Sequence, residues 1–149
     1  MKQIINLKID GGHYTAKACM VWCFDHRFSG KLLKEFIVDG GYLKRDPIVI
    51  AGGAKDIATP EELTDRDYVL RQIAKSIRLH HPPHVFLMTH ANCGAYGKTF
   101  ENPEEERAFY ESELIRAKDI TEKYLKEKNL AEGLEVVPLY ADFSGLYQL

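Results

Sequence analysis

Short apolar runs alternate with amphipathic stretches along the whole chain, and this alternation limits the folds that it can adopt. The runs KACMVWC (17–23), DPIVIAGG (46–53), VFLMTH (85–90) and LEVVPLY (134–140) have the length and composition of buried strands. Between them, apolar residues recur at helical spacing, as in SGKLLKEFIVDGG (29–41). This pattern predicts an α/β fold with a mainly parallel, four-stranded β-sheet flanked by α-helices.

Composition is consistent with one globular domain, which we expect to span residues 1–149. Hydrophobic residues make up 45% of the chain and charged residues 28%. The formal net charge is −2, so the chain has no excess of basic residues that would indicate a nucleic-acid partner, and we expect none. The chain has no apolar stretch of the roughly 20 residues needed to span a bilayer, and its start, MKQIINLKIDGG, lacks a signal-peptide core. We therefore expect a cytoplasmic protein with no membrane association.

Polar side chains follow two of the predicted strands directly, in the segments CFDHR (23–27) and HANCG (90–94). Active sites of parallel α/β folds lie beyond the carboxyl ends of the strands, so we expect both segments at one edge of the sheet. Side chains two positions apart in an extended chain share a face. Cys23, Asp25 and Arg27 would therefore face one site if the strand geometry continues as far as Arg27.

Cys23, His90 and Cys93 together offer two thiolates and one imidazole. This donor set suits Zn²⁺, which prefers tetrahedral sulfur and nitrogen ligands. Three protein ligands leave a fourth position open, as in catalytic zinc sites. The cysteine count of three is odd, which argues against a disulfide framework. Cys19 lies inside the first strand, and we interpret it as a small buried hydrophobic residue.

Asp25 has two possible roles beside such a metal. Its carboxylate can accept a hydrogen bond from a zinc-bound water, or it can occupy the fourth position as a displaceable ligand. Arg27 would decide between the two by holding Asp25 away from the metal in a charge-assisted pair.

The CxDxR and HxxCG motifs, in this order and each after a strand, resemble those of the β-class carbonic anhydrases. The resemblance covers most of the chain, including IVIAGGA (48–54) and the C-terminal LEVVPLYADFSGLYQL. It implies that Cys23, His90 and Cys93 bind Zn²⁺.

The resemblance also implies a function, namely reversible hydration of carbon dioxide to bicarbonate and a proton by a zinc-bound hydroxide. Asp25 and Arg27 would form the catalytic pair, and Gly94 and Gly52 would lie beside the substrate. Members of the family are dimers or assemblies of dimers, so the resemblance implies a homodimer or a larger assembly here.

One part of the chain departs from the family pattern. The family carries an Arg-Asn-Ala-Gly-Asn turn, and here Val49 and Ile50 replace its Arg and first Asn while Gly53 replaces its second Asn. Only Ala51 and Gly52 of that turn remain. We expect this loss to affect rate and assembly more than zinc binding.

Three other functions are compatible with these motifs. The same fold can hydrolyse carbonyl sulfide or carbon disulfide, and a non-catalytic zinc-binding relative can act as a regulatory subunit. Thiol redox chemistry between Cys23 and Cys93 is a further alternative.

Residues outside the motifs receive structural interpretations. We interpret the HHPPH stretch (80–84) as loop histidines at the opposite end of the sheet. The acidic run Glu104–Glu106 favours the start of a helix, and Tyr110 belongs to the apolar face of that helix.

Overall fold

A twisted sheet of five strands forms the centre of the molecule. The computed structural model describes residues 1–149, apart from the side chain of Leu33. The strands lie in the order β2-β1-β3-β4-β5. Neighbouring strands are parallel except for β5, which runs antiparallel to β4. The strands are β1 (Ala18–Cys23), β2 (Arg45–Ile50), β3 (His84–His90), β4 (Glu135–Ala141) and β5 (Leu146–Gln148).

Helices connect the parallel strands and cover both faces of the sheet. The longest, α4 (Pro103–Glu127), begins at an Asn-Pro pair, where the Asn102 side chain accepts a hydrogen bond from the Glu105 N–H at 2.8 Å. The helices are α1 (His26–Lys31), a π-helix (Leu32–Asp39), α2 (Lys55–Ala58), α3 (Leu63–His80), a 3₁₀ turn (Gly94–Tyr96) and α4 (Pro103–Glu127). None of these described helices is long and apolar enough to cross a membrane.

Two apolar layers enclose the sheet, and β1 contributes to both because successive side chains of a strand point to opposite faces. Val21 packs into the layer formed with α3 and α4, whereas Met20 and Trp22 pack against Phe28 of α1. Every residue of β1 is buried. The α/β fold class predicted from the alternating runs is confirmed.

The structure differs from the predicted sheet at its C-terminal edge, where a fifth strand is present. After β4 the chain turns back at Asp142, whose Oδ1 accepts the N–H groups of Ser144 and Gly145 at 2.8 and 2.9 Å. This side-chain cap closes a hairpin, and the short strand β5 then pairs antiparallel with β4. The fifth strand has only three residues, which is too short for a periodic pattern to reveal.

The condition that β1 continues as an extended strand as far as Arg27 is not met. The strand ends at Cys23, and Asp25 is the N-cap of α1, accepting the Arg27 N–H at 2.9 Å. An aspartate side chain satisfies a free N–H group of the first turn, so the local sequence starts a helix here. Arg27 is consequently a helical residue, and the two side chains meet across the cap.

The opposite end of the sheet carries a hydrogen-bonded cluster around Asp46, at the start of β2. The carboxylate accepts the Ser76 hydroxyl at 2.6 Å and the Tyr14 hydroxyl at 2.7 Å, and it lies 2.8 Å from His80 Nδ1. Burial raises the pKa of Asp46, but the bonds from Ser76, Tyr14 and His80 outweigh it, so the pKa is lowered. His80 is therefore a half-buried partner of Asp46, which corrects its interpretation as a loop histidine.

Candidate metal centre

Cys23, His90 and Cys93 lie together at the carboxyl end of the sheet. One donor atom of each residue lies within 4.8 Å of the other two. Cys23 ends β1 and His90 ends the neighbouring parallel strand β3, while Cys93 lies in the turn that follows. Their side chains are almost inaccessible, with residue exposures of 8%, 0% and 5%. The sheet topology therefore brings the three predicted ligands into one buried cluster.

The imidazole of His90 is oriented for a ligand role. Its Nδ1 lies 2.8 Å from the Ala91 carbonyl oxygen, and this contact requires the proton on Nδ1. Its Nε2 is buried and has no hydrogen-bond partner among the described residues. The Phe28 ring packs against the imidazole with 4.5 Å between centroids. A buried, unpaired nitrogen lone pair is costly in a protein interior, and a metal ion would satisfy it.

The Cys23 and Cys93 sulfur atoms lie within 4.8 Å of each other. The neighbouring Cys93 thiol lowers the pKa of Cys23, and the same interaction raises the pKa of Cys93. The backbone N–H groups of Asp25 and Gly52 also stabilise the Cys23 thiolate, and the Ala95 N–H stabilises that of Cys93. A divalent cation would favour loss of the thiol protons, because ligating cysteines are thiolates. The donor set and its surrounding amides therefore fit Zn²⁺.

Asp25 and Arg27 form a two-pronged ion pair beside the cluster. Arg27 Nε donates to Asp25 Oδ1 at 3.0 Å, and Arg27 Nη2 donates to Oδ2 at 2.6 Å. The hydrogen bond with Arg27 lowers the pKa of Asp25 to about 2, so the carboxylate is charged at neutral pH. Asp25 Oδ2 lies 3.9 Å from His90 Nε2. The carboxylate therefore borders the buried nitrogen while Arg27 restrains it.

Residues 90–93, which we call the ligand loop, are also fixed by α4. The Asn92 N–H donates to Glu106 Oε1 at 2.6 Å, and the Cys93 N–H donates to the Tyr110 hydroxyl at 3.2 Å. Arg27 Nη2 donates to the Asn92 carbonyl oxygen at 2.8 Å. The loop is thus held between α1 and α4.

Sequence reasoning missed the contacts of Glu106 and Tyr110. Glu106 was assigned to the acidic start of α4 and Tyr110 to its apolar face. The available signal was their spacing of four residues, which places both side chains on one face of a helix. That spacing does not identify the loop they contact, which precedes α4 in the sequence.

The two glycines predicted to lie beside a substrate have different surroundings. The Gly52 N–H contributes to lowering the pKa of the Cys23 thiol. Gly94 is exposed at the start of the 3₁₀ turn and borders a cleft of about 480 Å³, which Cys93 and Phe100 also line. The cleft gives access to the ligand loop, and the roles of both glycines in substrate binding stay predictions.

Comparison with solved structures identifies the fold. The chain superposes on a carbonic anhydrase of Streptococcus mutans with a TM-score of 0.54 and 15% identity, over 91% of this chain and 82% of that one. A β-carbonic anhydrase of Sordaria macrospora, described as tetrameric, gives 0.52 and 18%, over 93% and 82%. A β-carbonic anhydrase of Trichomonas vaginalis gives 0.50 and 14%, over 96% and 87%.

The resemblance inferred from the two motifs is confirmed at the level of structure, because the chain has the fold of the β-carbonic anhydrases. No protein-family model matches the sequence, and no curated protein matches it. At identities below 20% the structural likeness defines the fold, while the activity must be argued from the site.

Proposed function

We propose that this protein is a zinc-dependent carbonic anhydrase that catalyses reversible hydration of carbon dioxide to bicarbonate and a proton. The observation that carries the proposal is the buried, unpaired Nε2 of His90 beside the thiols of Cys23 and Cys93. The charged Asp25 carboxylate lies 3.9 Å from that nitrogen, where a reacting water would need an acceptor.

Cys23, His90 and Cys93 would hold the metal. Bound Zn²⁺ lowers the pKa of a coordinated water, which makes a hydroxide nucleophile available near neutral pH. Three protein ligands leave one position for water, and the pairing of Asp25 with Arg27 supports a carboxylate that stays outside that position.

Asp25 would orient the nucleophile. Its carboxylate stays deprotonated because of the bond with Arg27, so it accepts a hydrogen bond and does not donate one. An acceptor fixed in this way directs the lone pair of the nucleophile towards the carbon of carbon dioxide. We propose that the Gly94 amide and Gly52 border the substrate, with the cleft beside Cys93 as its entrance.

We also propose a homodimer or an assembly of dimers in the cytoplasm. The tetrameric state named for the Sordaria macrospora enzymes supports the first proposal. The two thiol ligands support the second, because a reducing compartment keeps them from forming a disulfide. Sedimentation of the zinc-loaded protein tests the assembly, and a single species of monomer mass would refute it.

Stopped-flow hydration of carbon dioxide tests the activity. The zinc-loaded protein should exceed the buffer rate, and Asp25→Asn should reduce kcat/KM by about 100-fold or more, because asparagine keeps the helix cap but loses the charge. Asp67→Asn, which removes an exposed carboxylate from α3, should leave the rate unchanged. A zinc-loaded protein with no rate above buffer would refute the proposal.

The same preparation separates the alternatives. Release of hydrogen sulfide from carbonyl sulfide or carbon disulfide, at a rate above that of hydration, would assign the chain as a hydrolase of those substrates. Full zinc occupancy without either activity would favour a non-catalytic regulatory subunit.

A further inference from the structure

We propose that Glu106 and Tyr110, one turn apart on α4, are positioning residues that set the metal affinity of the ligand loop. The inference rests on the proposed function only in taking Cys23, His90 and Cys93 as metal ligands. It concerns binding of the metal and makes no assumption about the substrate.

The N–H groups that follow His90 in the ligand loop each have a different acceptor. The Ala91 N–H donates to the Ala141 carbonyl oxygen of β4 at 2.8 Å. The next two N–H groups, of Asn92 and Cys93, donate to the Glu106 carboxylate and the Tyr110 hydroxyl of α4. Side chains of one helix therefore satisfy the two donors that the sheet leaves free.

Asn92 shows why this restraint is needed. Its φ of 54° lies in the left-handed region, which asparagine tolerates better than most residues but which still costs energy. Its N–H bonds to the negative Glu106 and its carbonyl oxygen to the positive Arg27, at 2.6 and 2.8 Å. These charge-assisted bonds stabilise the unfavourable backbone conformation of Asn92. They therefore fix the position of the next residue, Cys93, relative to His90.

The neighbouring glutamates distinguish this role from helix capping. Glu105 accepts the Glu101 N–H at 2.8 Å, and its own N–H donates to the Asn102 side chain, as expected at a helix start. Glu106 lies one position further and bonds to the ligand loop. One acidic run therefore serves two purposes.

Hydrogen-bond partners such as Glu106 and Tyr110 affect metal affinity because they hold the metal-free ligand loop in the geometry that it needs when the metal is bound. Loss of an outer-shell partner lowers metal affinity by about 10- to 100-fold in characterised zinc sites. We expect Glu106→Ala to lower zinc affinity by about tenfold or more. Glu106→Gln keeps an acceptor oxygen and should restore part of the loss, and Tyr110→Phe should resemble Glu106→Ala.

The experiment measures zinc affinity of the full chain by competition with a chromophoric chelator, and the visible spectrum of the Co²⁺-substituted protein. Glu104→Ala and Tyr140→Phe are the matched controls. Glu104→Ala removes the same charge two positions before Glu106. Tyr140→Phe removes the same hydroxyl group from a ring that stacks on Tyr110. Both controls should bind zinc within about twofold of wild type, well below the tenfold change expected from a lost outer-shell partner.

Cobalt spectra separate positioning from general stability. Sulfur-to-cobalt charge-transfer bands report the geometry of the cysteine ligands, so the Glu106 and Tyr110 variants should shift or weaken them while the controls do not. Unchanged affinity and spectra in Glu106→Ala and Tyr110→Phe would overturn the inference and leave the proposed function standing. A wild-type protein that binds neither zinc nor cobalt would overturn both this inference and the proposed function. If the wild-type protein binds zinc without hydrating carbon dioxide, and the Glu106 and Tyr110 variants bind zinc more weakly, the inference is supported and the proposed activity is refuted.

Discussion

Restoring the family residue at position 53 should destabilise this chain. The β-carbonic anhydrase turn has asparagine where this sequence has Gly53. A Cβ atom at Gly53 would lie 2.2 Å from the Met88 carbonyl oxygen and 3.0 Å from the Cys23 backbone nitrogen. Both obstacles belong to the backbone of central strands, which cannot rotate away. Gly53→Asn therefore forces the turn away from the sheet.

Gly133→Asn provides the matched control for this substitution. Gly53 and Gly133 have similar positive φ values of 59° and 67°, but a Cβ at Gly133 meets no atom within 4 Å. Asparagine tolerates this backbone region, so both variants carry the same small conformational cost. The clash at Gly53 adds the cost of overpacking, about 1–3 kcal/mol. For a chain of this length that corresponds to a Tm lower by roughly 3–10 °C than that of Gly133→Asn.

Thermal unfolding of the metal-free proteins, followed by circular dichroism, measures the difference. Metal-free samples are needed because a bound metal would add its own stabilisation. Equal Tm values for the two variants would refute the reasoning, since they would mean that the turn relaxes without cost. The outcome also tests whether glycine is required at position 53 because the turn packs against the backbone of Met88 and Cys23.

Three further predictions address other parts of the molecule. Asp46→Asn should cost about 2 kcal/mol in urea unfolding at pH 7. Because the native pKa of Asp46 is lowered, the pH-dependent part of that deficit is full above about pH 4 and should be lost as pH falls through the native pKa. Arg27→Lys keeps the charge but loses the two-pronged contact, so it should lower kcat/KM for hydration by about tenfold or more. Removing zinc with a chelator should make Cys23 and Cys93 alkylate faster than in the zinc-loaded protein, detected by mass spectrometry, while the fully buried Cys19 stays unmodified.

The clustering of Cys23, His90 and Cys93 was predictable from sequence because strand ends fix their position. Cys23 and His90 each follow an apolar run, and parallel topology brings the carboxyl ends of those runs to one edge whatever the details of the helices. Cys93 lies three residues beyond His90 in a tight turn, so its approach is local. These inferences require only the order of the elements and the alternation of apolar runs.

The surroundings of the ligands were less predictable because they depend on side-chain choices between competing partners. Asp25 would have faced the site from an extended strand only if β1 continued, but β1 ends at Cys23 and Asp25 caps α1. Glu106 had a sufficient local explanation as part of a helix start, which hid its contact with Asn92. Local propensity gives no information on a contact made between residues 14 positions apart.

The altered glycine turn and the intact ligand cluster are compatible because different groups support them. The turn lost the side chains of its Arg-Asn pair, yet the Gly52 N–H still helps to lower the pKa of the Cys23 thiol, and a backbone amide does not depend on residue type. The other half of the cluster, the ligand loop, is held by α4 and Arg27, neither of which belongs to the turn. Metal binding is therefore expected to tolerate substitutions at Val49 and Ile50. The same substitutions can still alter rate and assembly, since Val49 is exposed on the edge strand β2.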